Sequence, residues 1–362
     1  MTATVTKAGP YYPSGSISFS SLRSNFKESA SGSISASELR RNTTITNTNP
    51  IVPDATENAS ISASSNLKLS HFRNTIKYYY ITQTGTDTNF DIDAQTWNTN
   101  LNKNIRKWLY VQGTVGSNSV ASSAADFNST AYNLTIDVSG SIYGAAGSGG
   151  TSATINGGSG GNALSITNTS GSNLIVNVQS TAKIYGGGGG GEKGARGADG
   201  SPGTCVNTST ESGCGGAPGC PGGYYETGTG GGGCCQSTCV CWFRCCERCV
   251  NWIQYRYCRQ EYATSGGTGG EGGNGGIGRG YNNFSGSLLG AGGVGGTGGG
   301  GCGATDGLTG ETGGGGGDWA SAGGNTTNSG NGGSPGRAIA GSNYSVNGTI
   351  NSSTIKGLYL PQ

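Results

Sequence analysis

Eleven of the chain's twelve cysteines lie between Cys205 and Cys258, interleaved with tyrosine, arginine and tryptophan. They are Cys205, Cys214, Cys220, Cys234, Cys235, Cys239, Cys241, Cys245, Cys246, Cys249 and Cys258, with Cys302 apart. Thiols at this density can cross-link, hold a metal or stay free. A zinc site here has to be all-cysteine, because the block contains no histidine, and only Cys246 and Cys249 have C-x-x-C spacing. The close spacing from Cys234 to Cys245 suits interlaced disulfides better. A segment too small to bury a core needs such staples, and they persist only under oxidising conditions. Disulfides are therefore expected, with metal binding and free thiols as the alternatives, and neither a metal ion nor a cofactor is assigned.

The same block supplies side chains able to recognise a partner. Tyr224, Tyr225, Arg244, Arg248, Tyr255, Arg256, Tyr257, Arg259 and Tyr262 combine large aromatic faces with forked cationic donors. Such residues dominate binding hot spots, and arginine grips carboxylate or phosphate groups bidentately. Trp242, Phe243 and Trp252 serve equally well as the block's own small core. Phe284 and Trp319 are further contacts expected on loops, with Asn282, Asn283, Asp306 and Asp318 weaker. Catalysis finds less support. His71 is the only histidine, and G-x-S-x-G at Gly157–Gly161 and Gly332–Gly336 arises by chance in a Gly/Ser-rich chain. Glu226, Asp306 and Asp318 could pair for glycoside cleavage only if folding brings them together. The chain is read as a binding protein and not an enzyme, with a purely structural protein as the first alternative and a surface-polysaccharide depolymerase as the lesser one.

These groups must be held by something, and the surrounding sequence is mostly glycine. Gly fills 74 of 362 positions, in runs such as "GGTGGEGGNGGIGRGY" (Gly266–Tyr281) and "GGGGGG" (Gly186–Gly191). A three-residue period suits the polyproline-II helix, which rises ~3.1 Å per residue without internal hydrogen bonds. Side chains in Gly-Gly-X line one edge only, so the bare edges let neighbouring helices approach and bond across. Packed polyglycine-II strands are expected, with Thr268, Glu271 and Asn274 facing water; a flexible linker is the alternative. "GEKGARGADGSPG" has glycine at 191, 194, 197, 200 and 203, a collagen-like register that leaves a trimer open.

Ordinary periodicities bracket the glycine. Alternation in "YNLTIDVSGSIYG", "NLIVNVQSTAKIYG" and "YSVNGTINSSTIKGLYL" predicts strands. Trp97, Leu101, Ile105 and Trp108 recur at helical spacing and predict a short amphipathic helix. Nearer the start, S-x-[L/F]-R occurs three times, at Ser20/Leu22/Arg23, Ser37/Leu39/Arg40 and Ser70/Phe72/Arg73. Each serine suits a helix N-cap, each apolar residue an anchor and each arginine a directed donor. Turns this short do not persist alone, so they are expected to dock on a partner. Residues 1–83 are read as an attachment arm and 84–139 as the helix plus first strands. Residues 140–362 are read as a glycine-rich domain with a Cys-rich insertion at 205–262. The expected fold is mainly β with little helix. A net charge of +2 argues against nucleic acid as a partner. No apolar run is long enough to span a membrane, and the first residues lack the apolar core of a secretory signal.

These features together resemble tail-fibre proteins of tailed phages. The carrying residues are "LTIDVSGSIYGAAGSGG", "GGNALSITNTSGSNLIVNVQSTAKIYGGGGGG" and "GGSPGRAIAGSNYSVNGTI". The glycine-rich half resembles the distal adhesins that cap T-even long tail fibres. That resemblance implies a virion protein that binds a host surface receptor through loops on a rigid glycine scaffold. It also implies attachment to a trimeric fibre or a baseplate through the N-terminal arm, either as one cap on a trimer or as a homotrimer. Three copies of the S-x-[L/F]-R turn match the threefold symmetry of such a partner. The cysteine block is a departure from the pattern.

Overall fold

The computed structural model of the chain describes residues 16–27, 31–41, 51–53, 58–64, 66–95, 97, 105–129, 133–152, 154–167, 174–214, 225–239, 247–284, 303–327 and 330–359. It divides into two compact units, one of residues 1–194, 273–291 and 312–362, the other of 195–272 and 292–311. The fold is mainly β, and among the described residues helix is confined to the short segments Phe19–Lys27 and Leu69–Phe72.

In the first unit the chain winds through successive coils, each laying strands into three sheets. The first coil holds β1 (Tyr79–Gln83), β2 (Thr86–Thr88) and β3 (Phe90–Asp91), and the second β4 (Lys107–Val111), β5 (Thr114–Gly116) and β6 (Ala125–Phe127). The third holds β7 (Leu134–Val138), β8 (Ser141–Tyr143) and β9 (Leu164–Thr167). The fourth begins with β10 (Ile175–Val178) and β11 (Lys183–Tyr185). The chain then makes its long excursion, through β12 (Gly203–Cys214), β13 (Tyr225–Cys239) and β14 (Glu247–Thr264) of the second unit. It closes the fourth coil with β15 (Ile339–Ser342), and β16 (Ser345–Gly348) and β17 (Ile355–Lys356) make the fifth. The first sheet runs β1-β4-β7-β10-β16, the second β17-β11-β8-β5-β2 and the third β15-β9-β6-β3, every pairing parallel. This is a parallel β-solenoid.

Register explains its core. Ile81, Leu109, Ile136, Val176 and Val346 stack one above another in the first sheet. Val115, Ile142, Ile184 and Ile355 do so in the second, and Phe90, Ala125, Leu164 and Ile339 in the third. All except Val346 are buried in one apolar cluster, with Val346 packed against it. Strands were expected around Leu134–Val138, Ile175–Val178 and Ser345–Gly348, and they are found there. The helix expected over 97–109 is corrected at its end, because Lys107–Leu109 belong to β4. "KWLYV" alternates buried and half-buried residues, and period two outweighs the helical spacing of Ile105 and Trp108. Residues 98–104 lie outside the described residues.

The three N-terminal turns also fold differently from expectation. Leu22, Leu39 and Phe72 do not wait for a partner: with Phe26, Ile51, Val52 and Ile61 they form a buried core of their own. The caps sit two residues ahead of the expected serines. The Ser18 hydroxyl accepts from the Ser21 amide at 3.1 Å, and the Ser18 amide donates to Ser21 Oγ at 2.9 Å. In the second turn the Ser35 amide donates to Glu38 Oε2 at 2.7 Å and Ser35 Oγ accepts from the Glu38 amide at 3.2 Å. In the third the Lys68 amide donates to His71 Nδ1 at 3.4 Å, which gives the lone histidine a structural task. Ile17, Ile34 and Leu67, each five residues before an anchor, pack on the same core. Each repeat is thus a cap with a hydrophobic staple, and three staples share one centre.

The three arginines, expected to be equivalent outward donors, are not equivalent. Arg23 donates to Gly32 O at 2.9 Å and Arg73 is exposed. Arg40 directly follows the buried Leu39 and, like Arg23, is half-buried. Its Nε is shut off from solvent with no hydrogen-bond partner among the described residues.

Glycine builds the rest of the first unit. Gly186–Lys193 is buried throughout and is surrounded by six segments. Gly187, Gly190 and Lys193 donate to the carbonyls of Gly161, Gly158 and Ile155. Gly188 and Gly191 donate to Arg279 and Gly276, and Gly189 and Glu192 to Ser321 and Gly324. In return Gly147 and Gly150 donate to Gly188 and Gly191, Gly317 and Gly314 to Gly189 and Glu192, and Gly336 and Gly333 to Gly187 and Gly190. The period is three on all six sides, as a three-residue turn requires. Thr268, Glu271 and Asn274 face water as expected. The collagen-like stretch uses the same period within this chain. Gly191 and Gly194 donate to Gly276 and Gly273 in the first unit, and Gly197 and Gly200 to Gly270 and Gly267 in the second.

At Gly190 a Cβ would lie 1.8 Å from the Ser148 carbonyl oxygen, whereas one at Gly230 would meet only the Tyr257 ring, at 3.5 Å. Relieving overlap with buried backbone costs at least ~3 kcal/mol. Gly190→Ala is expected to lower the melting midpoint by about 5 °C or more or to leave the protein insoluble, while Gly230→Ala stays within about 1 °C of the unmodified chain. Calorimetry of both purified variants checks this.

Candidate receptor-binding site

In the second unit β12, β14 and β13 make an antiparallel sheet with β14 at its centre. β12 pairs with β14 over its whole length without a slip, from Gly203 opposite Thr264 to Cys214 opposite Ile253. β13 is bulged at four places along Glu226–Ser237, where glycine and paired cysteines interrupt its alternation. The expected contacts Tyr255, Arg256, Tyr257, Arg259 and Tyr262 all fall on β14.

Two of them offer large surfaces to solvent: Tyr257 is 48% exposed and Tyr262 44%. The Tyr257 ring lies alongside Gly228 and Gly230 of β13, at 3.5–3.7 Å from where their Cβ atoms would be. The absent side chains leave that ring a smooth bed. Arg259 pairs with Glu261 at 2.6 Å near the same strand end, and Thr227 Oγ1 donates to the Tyr257 carbonyl at 3.2 Å. Cys205 is buried. Tyr224, Arg244, Cys220, Cys241, Cys245, Cys246 and Cys302 lie outside the described residues. So do the side chains of Tyr225, Arg248, Tyr255, Arg256 and the remaining cysteines.

The two contacts expected on loops of the first unit part company. Trp319 is 7% exposed and packs on Tyr143 at 4.9 Å and Tyr185 at 5.7 Å. It is therefore a core residue, a correction that follows from its neighbours: those tyrosines end β8 and β11, where the chain leaves the solenoid for glycine. Phe284 is 47% exposed, with its other edge against Tyr143 at 5.2 Å and Trp319 at 5.5 Å. Arg279 donates to the Phe284 carbonyl at 2.8 Å and to Asp318 at 3.0 Å. Burial would lift the Asp318 carboxyl, but the Trp319 amide and Arg279 together hold it below the usual carboxylate range. Neither G-x-S-x-G serine stands at a strand-to-helix turn; both segments are lattice strands.

Two features carry no signal in the sequence. Glu192, fully buried, accepts from the amides of Thr326 at 2.6 Å and Gly330 at 2.8 Å. A carboxylate accepting backbone amides from a distant loop can be found only once the fold is known. The other is the trio Asp91, Asp93 and Asp126, whose carboxylates lie within 4.8 Å of one another on the third sheet. The Asp126 carboxyl is raised by burial and then by the charges of Asp91 and Asp93, against a hydrogen bond from Asn128.

A raised carboxyl favours the folded state when protonated, and that contribution is lost as pH rises through its folded pKa. Asp126→Asn is therefore expected to raise the melting midpoint at neutral pH. The gain should vanish as pH falls below about 4, where aspartate is protonated in either state. Thermal melts at both pH values decide it.

No family model matches this chain, and no curated protein matches it. Among solved structures it is similar to the adhesin tip complex of the bacteriophage S16 long tail fibre, formed by gp37 and gp38. Identity is 19% over 82% of this chain and 88% of that one, with a TM-score of 0.34.

Proposed function

We propose that this chain is a tail-fibre adhesin of the virion that binds a host cell-surface receptor, a polysaccharide or an outer-membrane protein. The observation that carries the reading is Tyr257, exposed on the same face as Arg259 two residues along the central strand of the insertion sheet, with Tyr262 exposed on the opposite face. Exposed tyrosine beside arginine is the composition of a binding hot spot. The sequence resemblance to T-even distal adhesins supports the same reading. A purely structural virion protein would have no use for those side chains. Binding is the activity assigned.

Attachment to a trimeric fibre or a baseplate is assigned to the N-terminal module. Leu22, Leu39 and Phe72 are spent on its own core, so the contact is made by its outside. Phe19 is 60% exposed there, and Arg73 is exposed as well. The cysteine block is assigned a disulfide framework that holds the insertion's shape outside the cell.

Tyr257→Ala combined with Tyr262→Ala is expected to reduce phage adsorption at least tenfold while leaving particle yield unchanged, the scale of one lost hot spot at about 2 kcal/mol. Normal adsorption by particles lacking residues 205–262 would exclude the insertion as the receptor site. Alkylating unreduced protein from mature particles should label few of the twelve cysteines, and extensive labelling would remove the framework from the account. Mass spectrometry of the alkylated chain gives the count.

A further inference from the structure

One face of the insertion sheet restricts what the receptor can be. Side chains alternate along a strand, so Tyr257, Arg259 and Glu261 of β14 share a face. Opposite them on β12 stand Thr210, Thr208 and Val206, all three exposed. On the β13 side Gly228 lies opposite Tyr257, and Cβ atoms at Gly228 and Gly230 would come 3.7 and 3.5 Å from its ring. The exposed ring therefore has hydroxyls on one side and bare backbone on the other.

Two features of this face discriminate between classes of receptor. The first is apolar area. Neighbouring strands lie ~4.8 Å apart, so three of them make a face only about 10 Å across. A stable protein interface takes roughly 800 Å² from each partner and packs around an apolar centre. Between Tyr257 and Glu261 the described residues of the face supply two large apolar side chains, Tyr257 and Val206. The second feature is charge. Arg259 is the one cation among the described residues of the face, and Glu261 meets it at 2.6 Å with both side chains more than two-fifths exposed. A closed pair presents donors and acceptors to a ligand without net charge.

We infer that the receptor taken by this face is a neutral glycan. A pyranose sets its C–H face on the Tyr257 ring, and its hydroxyls exchange hydrogen bonds with Thr208, Thr210 and the Arg259–Glu261 pair. The inference rests on the reading of the insertion as the receptor site and narrows it. A uronic acid or a phosphate would meet the Glu261 carboxylate together with Arg259, and a protein would find one ring without an apolar surround.

The test is binding of the labelled full chain to host cells treated in one of two ways. Mild periodate, which cleaves the vicinal diols of sugars, is expected to lower binding about tenfold or more, the scale of a lost hot spot. Proteinase K is expected to leave binding unchanged. Tyr257→Ala should weaken binding to untreated cells about tenfold, the upper range for one aromatic contact. Glu261→Gln, which uncovers the Arg259 charge, should bring no gain. Binding that survives periodate and is lost to proteinase K overturns the glycan and makes the receptor a protein, with the adhesin reading intact. A clear gain from Glu261→Gln overturns the neutral assignment. Full binding by a Tyr257→Ala chain that melts normally overturns the site itself, and the inference falls with it.

Discussion

The first unit depends on one absence, that of any Cβ along Gly186–Gly191. Six segments touch this stretch because nothing projects from it, and each of its three edges both donates and accepts. A backbone in three-residue turns has no bonds of its own to offer its amides, so every buried amide must find a carbonyl on a neighbour. Neighbours come close enough only where both edges are bare. Ordering glycine is entropically unfavourable, and the compensation comes from closing many such bonds together. A single added methyl at the centre therefore acts on several segments at once.

The lattice cannot stand alone, because glycine buries almost no apolar surface. The solenoid supplies what is missing. Its coils carry stacks of isoleucine, leucine and valine, and the lattice strands are extensions of its turns. Gly144 follows β8 directly and Gly186 follows β11, while Gly336 precedes β15. At that border Tyr143, Tyr185 and Trp319 form an aromatic collar. Stacking sets the register of the coils, and the coils set the register in which the glycine segments leave. At the other end of the central segment the Glu192 carboxylate takes the amides of Thr326 and Gly330.

Much of this was legible in the sequence. Alternation located the strands ending at Val138 and Val178, and the three-residue period gave the glycine packing. What failed did so for tertiary reasons. Trp97 to Trp108 has helical spacing, but Lys107–Val111 is claimed by a neighbouring coil on each side, and pairing outweighs local periodicity. The N-terminal repeats were read correctly as turns but wrongly as too small to make a core, since the contribution of Ile17, Ile34 and Leu67 is seen only when three repeats meet. Trp319 reads as a loop contact because its sequence neighbours are glycine and aspartate, yet its spatial neighbours are tyrosines. The same limit hid an aromatic face on the first sheet. Tyr80 and Trp108 are 28 positions apart in the chain and become adjacent only when parallel coils stack.

The solenoid and the lattice divide rigidity from recognition. A scaffold made of backbone has no specificity, since every peptide unit offers the same donor and acceptor. Specific groups can be added without cost only where a strand edge is not needed for packing. Ile277 and the third-position residues Thr268, Glu271 and Asn274 occupy such edges and are exposed. The insertion sheet reaches the same end in another way: one strand supplies the side chains, and a glycine-rich partner strand lets Tyr257 lie flat. In both, a missing side chain on one segment is what allows a present one on the next to face outward. Substitutions at the exposed edges leave the hydrogen bonds of the frame untouched, so the binding surface is free to change while the frame is not.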